Sequence, residues 1–354
     1  MAFSTIKIEN LRNFAEVSFK PHQHMNIIVG DNGSGKSSVL ESICFLCRGK
    51  SFRTSHVPGV ITRGKDDFVV FGINDDSRIG IRRNHDSFEI KINGENVTSL
   101  SRLARLSPVQ IIHPADIELL TGSPAERRAY VDWGSFYYSS GFYEEWAAFR
   151  RIMKQRNAFL KSGVSETGIL EAIDAELLVH AQKVHEFRKL FVDELAETVQ
   201  SIVSDFLPEY QFEFVMYPGW DLKKGLGQIL SVNLERDRMQ GFTSAGPQRA
   251  DLKIYANRQQ VQDVLSRGQL KLLLCAMRLA QSCFLEKKCG KDCLFLLDDF
   301  ASELDQSKRD KLAEYLTSLR GQVFITAIDE DETRFFQRSP CSVFELEKNL
   351  INQR

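Results

Sequence analysis

The segment Gly30-Asp31-Asn32-Gly33-Ser34-Gly35-Lys36-Ser37 constrains the fold of this chain more than any other. It satisfies GxxxxGK[ST] at every fixed position. It lies between an apolar run, Met25 to Gly30, and a stretch from Lys36 to about Cys47 that places Val39, Leu40, Ile43, Leu46 and Cys47 on one helical face. Strand, glycine loop, helix is the order a phosphate-binding loop requires, because a row of backbone N–H groups and a helix amino terminus both favour phosphate oxygens. Gly33 and Gly35 let the backbone turn and approach closely, Lys36 is expected to reach the β- and γ-phosphates, and Ser37 to ligate magnesium. Gly30, Asp31, Asn32, Ser34 and the following Ser38 complete the expected cradle.

The rest of the chain divides by pattern. After the loop, FVVFGI, RIGIRR and SFEIKINGENV are short alternating runs with Asn93-Gly94 as a two-residue hairpin turn, so an antiparallel β layer accompanies the parallel element. From Pro124 the character is helical, with Ile173, Leu177, Ala181, Val184, Phe191, Leu195, Val199, Ile202 and Phe206 in helical register and Pro208 beyond. Read as one helix this spans roughly 38 residues or about 57 Å, paired with a helix near 143–161; two or three shorter helices are the alternative. After about Gly241, ADLKIYA, CLFLL, QVFITA and SVFELE restore the α/β pattern. The expected division is 1–123 as one half of an α/β domain, 124–240 as an inserted, mostly helical domain, and 241–354 as the other half.

Composition narrows the function classes. A net charge of −1 over 354 residues means that any nucleic-acid surface is a local basic patch. An apolar span of membrane length is missing and the amino terminus does not read as a secretion signal, so a cytoplasmic location without membrane association is expected. Seven cysteines, an odd number, do not suggest a disulfide framework. Cys44 and Cys47 form a lone CxxC and read as helix packing. The histidines form no HExxH-type set, so the only metal expected is nucleotide-bound Mg²⁺.

Further chemistry gathers in the last third. Four apolar residues in CLFLLDDF deliver Asp298 to the carboxyl end of a strand, where it can hold the magnesium ion; Asp299 is then placed to polarise an attacking water. Leu265-Ser266-Arg267-Gly268-Gln269 opens a helix, and two readings of it stand. Ser266 and Gly268 can form a second anion site, useful against a nucleotide held by another chain. Alternatively Ser266 and Gln269 are a capping box. Gln110, at the end of an apolar run, is a candidate sensor of magnesium and the γ-phosphate, or a plain surface glutamine.

LSRGQLK, FLLDDF and ASELD, the last including Ser302 to Asp305, resemble in order and spacing the signature, Walker B and D-loop of ABC-type ATPase heads. That resemblance implies a two-subunit sandwich in which Ser266, Gly268 and Gln269 of one copy, with Asp305, meet the ATP held by Lys36 of the other. Transporter subunits of this class carry Asp-Glu where Asp298-Asp299 stands, and a switch histidine where this chain offers Thr326 or Asp329. IKIENLRNF, GDNGSGKSSVLESI, GKSFRT, RRAYVDWGSF, LSRGQ and LLDDFASELD together resemble the RecF family of bacterial DNA replication and repair proteins. The resemblance implies an α/β P-loop head of the ABC/SMC type with an antiparallel β layer and an inserted helical domain. It further implies ATP and Mg²⁺ as cofactors, ATP-driven dimerisation on duplex DNA near gaps or single-strand junctions, weak DNA-stimulated hydrolysis for release, and RecO and RecR as partners in recombinase loading. In GPQRADL, Gln248 and Ala250 depart from the family's usual residues. A small-molecule kinase or motor on the same phosphate loop is the alternative.

For DNA, the sequence offers Arg150, Arg151, Lys154 and Lys161 on one face of the helix near 143–161, opposite Trp146, Phe149 and Ile152. The competing reading is a solvated face balanced by Glu144 and Glu145.

Overall fold

Where apolar residues run without a break the strands are covered on both faces, and where they alternate one face meets water; both kinds occur here. A computed structural model describes the chain except residues 1, 55, 76, 164–166, 300–303, 330–332, 335, 337–339, 348 and 354. It divides into two units, Met1–Asp116 with Ser282–Arg354, and Ile117–Gln281.

In chain order the first unit contributes β1 (Phe3–Leu11), β2 (Phe14–Phe19), β3 (Met25–Val29), α1 (Lys36–Arg48), β4 (Asp67–Asn74), β5 (Ser77–Asn84), β6 (Phe88–Ile92), β7 (Glu95–Asn96), α2 (Leu100–Leu106) and β8 (Val109–Ile112). The second contributes α3 (Glu118–Thr121), α4 (Pro124–Tyr138), α5 (Phe142–Ser162), α6 (Thr167–Phe206), β9 (Phe212–Tyr217), α7 (Leu226–Val232), α8 (Leu234–Gln240), β10 (Asp251–Ala256), β11 (Gln259–Gln260), α9 (Val261–Val264) and α10 (Arg267–Cys289), which continues past Gln281. The chain returns to the first unit with β12 (Leu294–Leu297), α11 (Gln306–Ser318), β13 (Val323–Ala327), β14 (Cys341–Glu347) and β15 (Leu350–Gln353).

The first unit holds two six-stranded sheets. One is antiparallel, in the order β2-β1-β4-β5-β6-β7, and the other runs β15-β14-β3-β13-β12-β8 with every pairing parallel except the β14–β15 edge. Asn93 and Gly94, with φ of 53° and 87°, make the tight turn from β6 to β7. Helix α1 is buried almost throughout because it packs against strands of both sheets. Its Val39, Leu40, Ile43 and Leu46 share a core with Phe3, Ile6, Val70 and Ile81 of the antiparallel sheet and with Ile28, Leu296 and Phe324 of the parallel one. A helix covered all round cannot shift without opening two sheets, so the loop at its amino terminus is rigidly held.

In the second unit the long apolar repeat is one helix of 40 residues, α6, packed along α5. Phe149 and Ile152 of α5 meet Leu177, Ala181 and Val184 of α6, with Trp220, Leu226 and Leu230 alongside. Arg156 lies fully buried in this unit. It donates to Asp174 at 2.6 Å, to Asp237 at 2.9 Å and to Thr243 Oγ1 at 3.0 Å, tying α5, α6, α8 and the following loop together. The unit extends further than the expected 124–240. β10 pairs with β9 over six positions, while Arg127 and Arg128 of α4 bond Asp251 and Ala250, so the segment after Gly241 is fastened to elements that precede it.

Truncating Arg156 to Ala leaves the fully buried Asp237 and the part-exposed Asp174 without their cation, which costs about 3–5 kcal/mol. Denaturant unfolding of Arg156→Ala should show a loss of that size, and a loss below about 1 kcal/mol would mean the triad contributes little.

Candidate functional site

Gly35 caps the amino terminus of α1 at φ 109°, and a Cβ there would sit 2.8 Å from the Phe14 ring, so glycine is required on both conformational and steric grounds. Gly33 also takes a positive φ, 83°. Lys36, 4 % exposed, donates to the carbonyl oxygens of Gly30 at 2.7 Å and Asp31 at 3.1 Å, which folds its ammonium back over the loop. The turn after β1 grips the same loop. Asn13 Nδ2 donates to Gly33 O at 3.2 Å, and Arg12 donates twice, at 2.8 Å each, to the buried carboxylate of Glu41 on α1. Ser51 donates to the same carboxylate. These three anchors join residues far apart in the chain, so spacing does not assign them; Arg12, Asn13 and Ser51 lie in the family-like segments IKIENLRNF and GKSFRT without a role apparent from sequence.

The parallel register lines up the rest of the site. Thr326 pairs with Ile28 and Leu297 with both Ile325 and Ile112, so Thr326, Asp298 and His113 fall in one row at the carboxyl end of the sheet. Asp298 is 2 % exposed. Its Oδ1 accepts from Ser37 Oγ at 3.0 Å and Thr326 Oγ1 at 2.9 Å, and its Oδ2 lies 3.7 Å from His113 Nε2. Burial pushes the Asp298 carboxyl above its ordinary pKa; the hydroxyl donors of Thr326 and Ser37 oppose this, Asp299 adds to it, and His113 opposes it. Asp299 has φ 45°, its N–H donates to Thr326 Oγ1 at 2.9 Å, and its carboxylate lies 3.2 Å from the same oxygen. One hydroxyl proton cannot serve both carboxylates at once, so the pair favours an added cation.

Gln110 is not brought to this row. It sits 1 % exposed inside β8, opposite Phe295 and three positions before His113, or about 10 Å along the strand. His113, which packs edge-on against Phe52 at 5.5 Å, stands beside Asp298 instead. Thr326 carries hydrogen bonds to the aspartate pair, whereas Asp329 is exposed.

In the second unit Ser266 and Gln269 form a reciprocal capping box: Ser266 N–H donates to Gln269 Oε1 at 2.9 Å and Gln269 N–H to Ser266 Oγ at 3.3 Å. Ser266, Arg267 and Gly268 are exposed, and Gly268 has open space where a side chain would be. The cap and an anion site are compatible uses of one helix end, because the box occupies only some of the free N–H groups. Asp305 caps α11, its side chain accepting from Lys308 N at 3.0 Å; residues 301–303 of ASELD, Ser302 included, lie outside the described residues.

Arg150, Arg151, Lys154 and Lys161 are all exposed on α5. Arg150 lies over the Trp146 ring at 5.1 Å and Arg151 is 4.0 Å from Glu176. Glu145 is engaged by His180 and Lys183. Cys44 and Cys47 are buried free thiols; burial pushes Cys44 up to about 11 and Cys47 well above its ordinary value, so both stay protonated at neutral pH.

The arrangement can hold a polyphosphate on the loop and one divalent cation between Ser37 and Asp298. Magnesium, which keeps waters and takes few protein ligands, fits so sparse a donor set. Among the described residues, no helix is long and apolar enough to cross a membrane.

The family of the RecF/RecN/SMC N-terminal domain matches residues 2–351. Proteins named DNA replication and repair protein RecF from Vibrio atlanticus (strain LGP32) and Vibrio vulnificus (strain CMCP6) are each 40% identical over 359 aligned residues, covering 100% of this chain and of theirs. Among solved structures, the recombination mediator protein RecF with ATP, in the RecFOR pathway, is similar with a TM-score of 0.90 at 23% identity, over 100% of this chain and 97% of that one. An SMC head bound to the C-winged helix domain of ScpA is similar with a TM-score of 0.61 at 14% identity, over 100% of this chain and 97% of that one. These two likenesses concern the fold.

Removing the hydroxyl that holds Asp298 in line, by Thr326→Ala, should raise the Mg²⁺ concentration needed for nucleotide binding about 10- to 100-fold; titration with a fluorescent nucleotide at fixed salt reads this directly. The raised Asp298 pKa also has a stability consequence. Its contribution is present in acid and lost as pH rises through the folded-state value. Metal-free Asp298→Asn should therefore melt above the unmodified protein at alkaline pH and converge with it in acid.

Proposed function

This chain belongs to the RecF family, and from that membership we propose that it is an ATP-dependent DNA-binding protein of replication and recombinational repair. The observation that carries the reading is the meeting of Lys36, Ser37, Asp298 and Thr326 at one end of a parallel sheet, in a chain related over its whole length to proteins of that name. Backbone N–H groups of residues 30–38 and the Lys36 ammonium hold the ATP phosphates. Ser37 and Asp298 hold Mg²⁺, which when bound offsets phosphate charge and neutralises a carboxylate that burial disfavours. Asp299 orients a water, and Gln110 remains a candidate sensor only if its strand end moves. Hydrolysis is slow and serves release.

Ser266, Gly268 and Gln269, with Asp305, meet the nucleotide of a second copy, so ATP joins two subunits. ATP drives this only to the extent that it binds the dimer more tightly than the monomer. The closed dimer holds duplex DNA near gaps or single-strand junctions, with Arg150, Arg151, Lys154 and Lys161 as backbone contacts, and acts with RecO and RecR in loading recombinase.

Ser266→Arg separates the two halves of this reading, since it places bulk and charge at the exposed helix end and leaves residues 30–38 intact. Nucleotide affinity of the dilute variant should stay within about twofold, while sedimentation with ATP and Mg²⁺ should show monomer where the unmodified protein dimerises, a loss of at least about 1.4 kcal/mol for a tenfold weaker association. ATP-dependent dimers in the variant would exclude Ser266 from the interface.

A further inference from the structure

The three-stranded sheet β11-β10-β9 exposes a row of cations that the nucleotide site does not use. Along β10, Leu252, Ile254 and Ala256 are buried while Lys253 is exposed on the other face, and Arg249, two residues ahead of the strand, is exposed as well. Each lies against an exposed aromatic ring. The Arg249 guanidinium sits 5.5 Å from the centre of Phe242, and Lys253 Nζ sits 5.5 Å from the centre of Tyr217. Three residues separate the two, so their Cα atoms are at most about 13 Å apart.

Two of the acidic groups near this row, Asp251 and Asp132, are already engaged. Arg127 bonds both oxygens of Asp251, at 2.7 and 3.2 Å, and Arg188 bonds both oxygens of Asp132, at 2.6 and 2.9 Å. Arg128 donates one N–H to Ala250 O at 2.8 Å. Its pKa is lowered first by burial and then by Arg188 and, last, Arg249, against the pull of Asp132 and Asp251. Glu213, opposite Tyr255, ends the row at its far side.

We propose that Arg249 and Lys253 form a strip that grips the phosphodiester backbone of a nucleic acid without reading its sequence. The inference rests on the DNA-binding reading above and adds a contact surface on elements other than α5. Two exposed cations spaced along a strand suit a linear polyanion, whose successive phosphates can meet both. Laying each long side chain on a ring restrains it before binding, so less rotamer freedom is lost on contact.

The test is the salt dependence of binding of a gapped duplex by the full chain with ATP and Mg²⁺, for the unmodified protein and for Arg249→Gln/Lys253→Gln. The logarithmic slope should become shallower by about 0.9 per lost phosphate contact, about 1.8 for the pair. Arg249→Lys/Lys253→Arg should keep the slope, and nucleotide binding without DNA should be unchanged in both variants. An unaltered slope in a Gln variant that still binds DNA overturns the strip and leaves the wider function standing; absence of any DNA binding by the unmodified protein overturns both. Loss of polyglutamate binding in the Gln variant, with the DNA slope intact, would make the strip a surface for an acidic protein segment and also overturn the proposal.

Discussion

A carboxylate buried among neutral donors governs the nucleotide site. Asp298 is almost wholly out of water, and its bonded partners are two hydroxyls, Ser37 and Thr326, with a second aspartate adjacent. Two neutral hydrogen bonds do not offset the desolvation of an ion. The nearby fixed cation, Lys36, is turned to the carbonyls of Gly30 and Asp31 instead. A site built this way is suited to an incoming cation, which the hydroxyl of Ser37 would help hold beside the phosphate loop.

The architecture supplies the rigidity such a site needs. Helix α1 is enclosed by two sheets, its Glu41 is clamped by Arg12, and the turn after β1 reaches the loop through Asn13 and Phe14. The antiparallel layer is thus part of the nucleotide site even though none of its strands carries a phosphate ligand. It fixes the helix from the side opposite the parallel sheet, so ordering of the loop is achieved in folding and not at binding.

Local pattern made much of this legible. The phosphate loop, the buried strands, the Asn93-Gly94 hairpin, the long helix α6 and the Ser266–Gln269 cap all follow from spacing within a few turns or a few strand residues. What stayed hidden depends on register between distant segments. Gln110 and His113 lie in one apolar run, and only the pairing of Ile112 with Leu297 shows that His113 is level with Asp298. The stop at Pro114 was the available signal, because proline has no N–H to donate to a sheet ladder and so tends to end an inner strand. The buried Arg156 could not be foreseen either, since arginine on an amphipathic helix reads as solvent-facing until Asp174 and Asp237 are brought to it. The strand at ADLKIYA is expected as part of a returning sheet, but β10 pairs with β9, and the second unit reaches Gln281.

In the proposed function a second copy completes the nucleotide site. ATP hydrolysis per subunit, measured across a range of protein concentrations with and without gapped duplex DNA at fixed salt, tests it most directly. Specific activity should rise with concentration, and DNA should lower the concentration at which it rises. Activity that is constant per subunit and indifferent to DNA would contradict a shared site and return Ser266 to a cap alone.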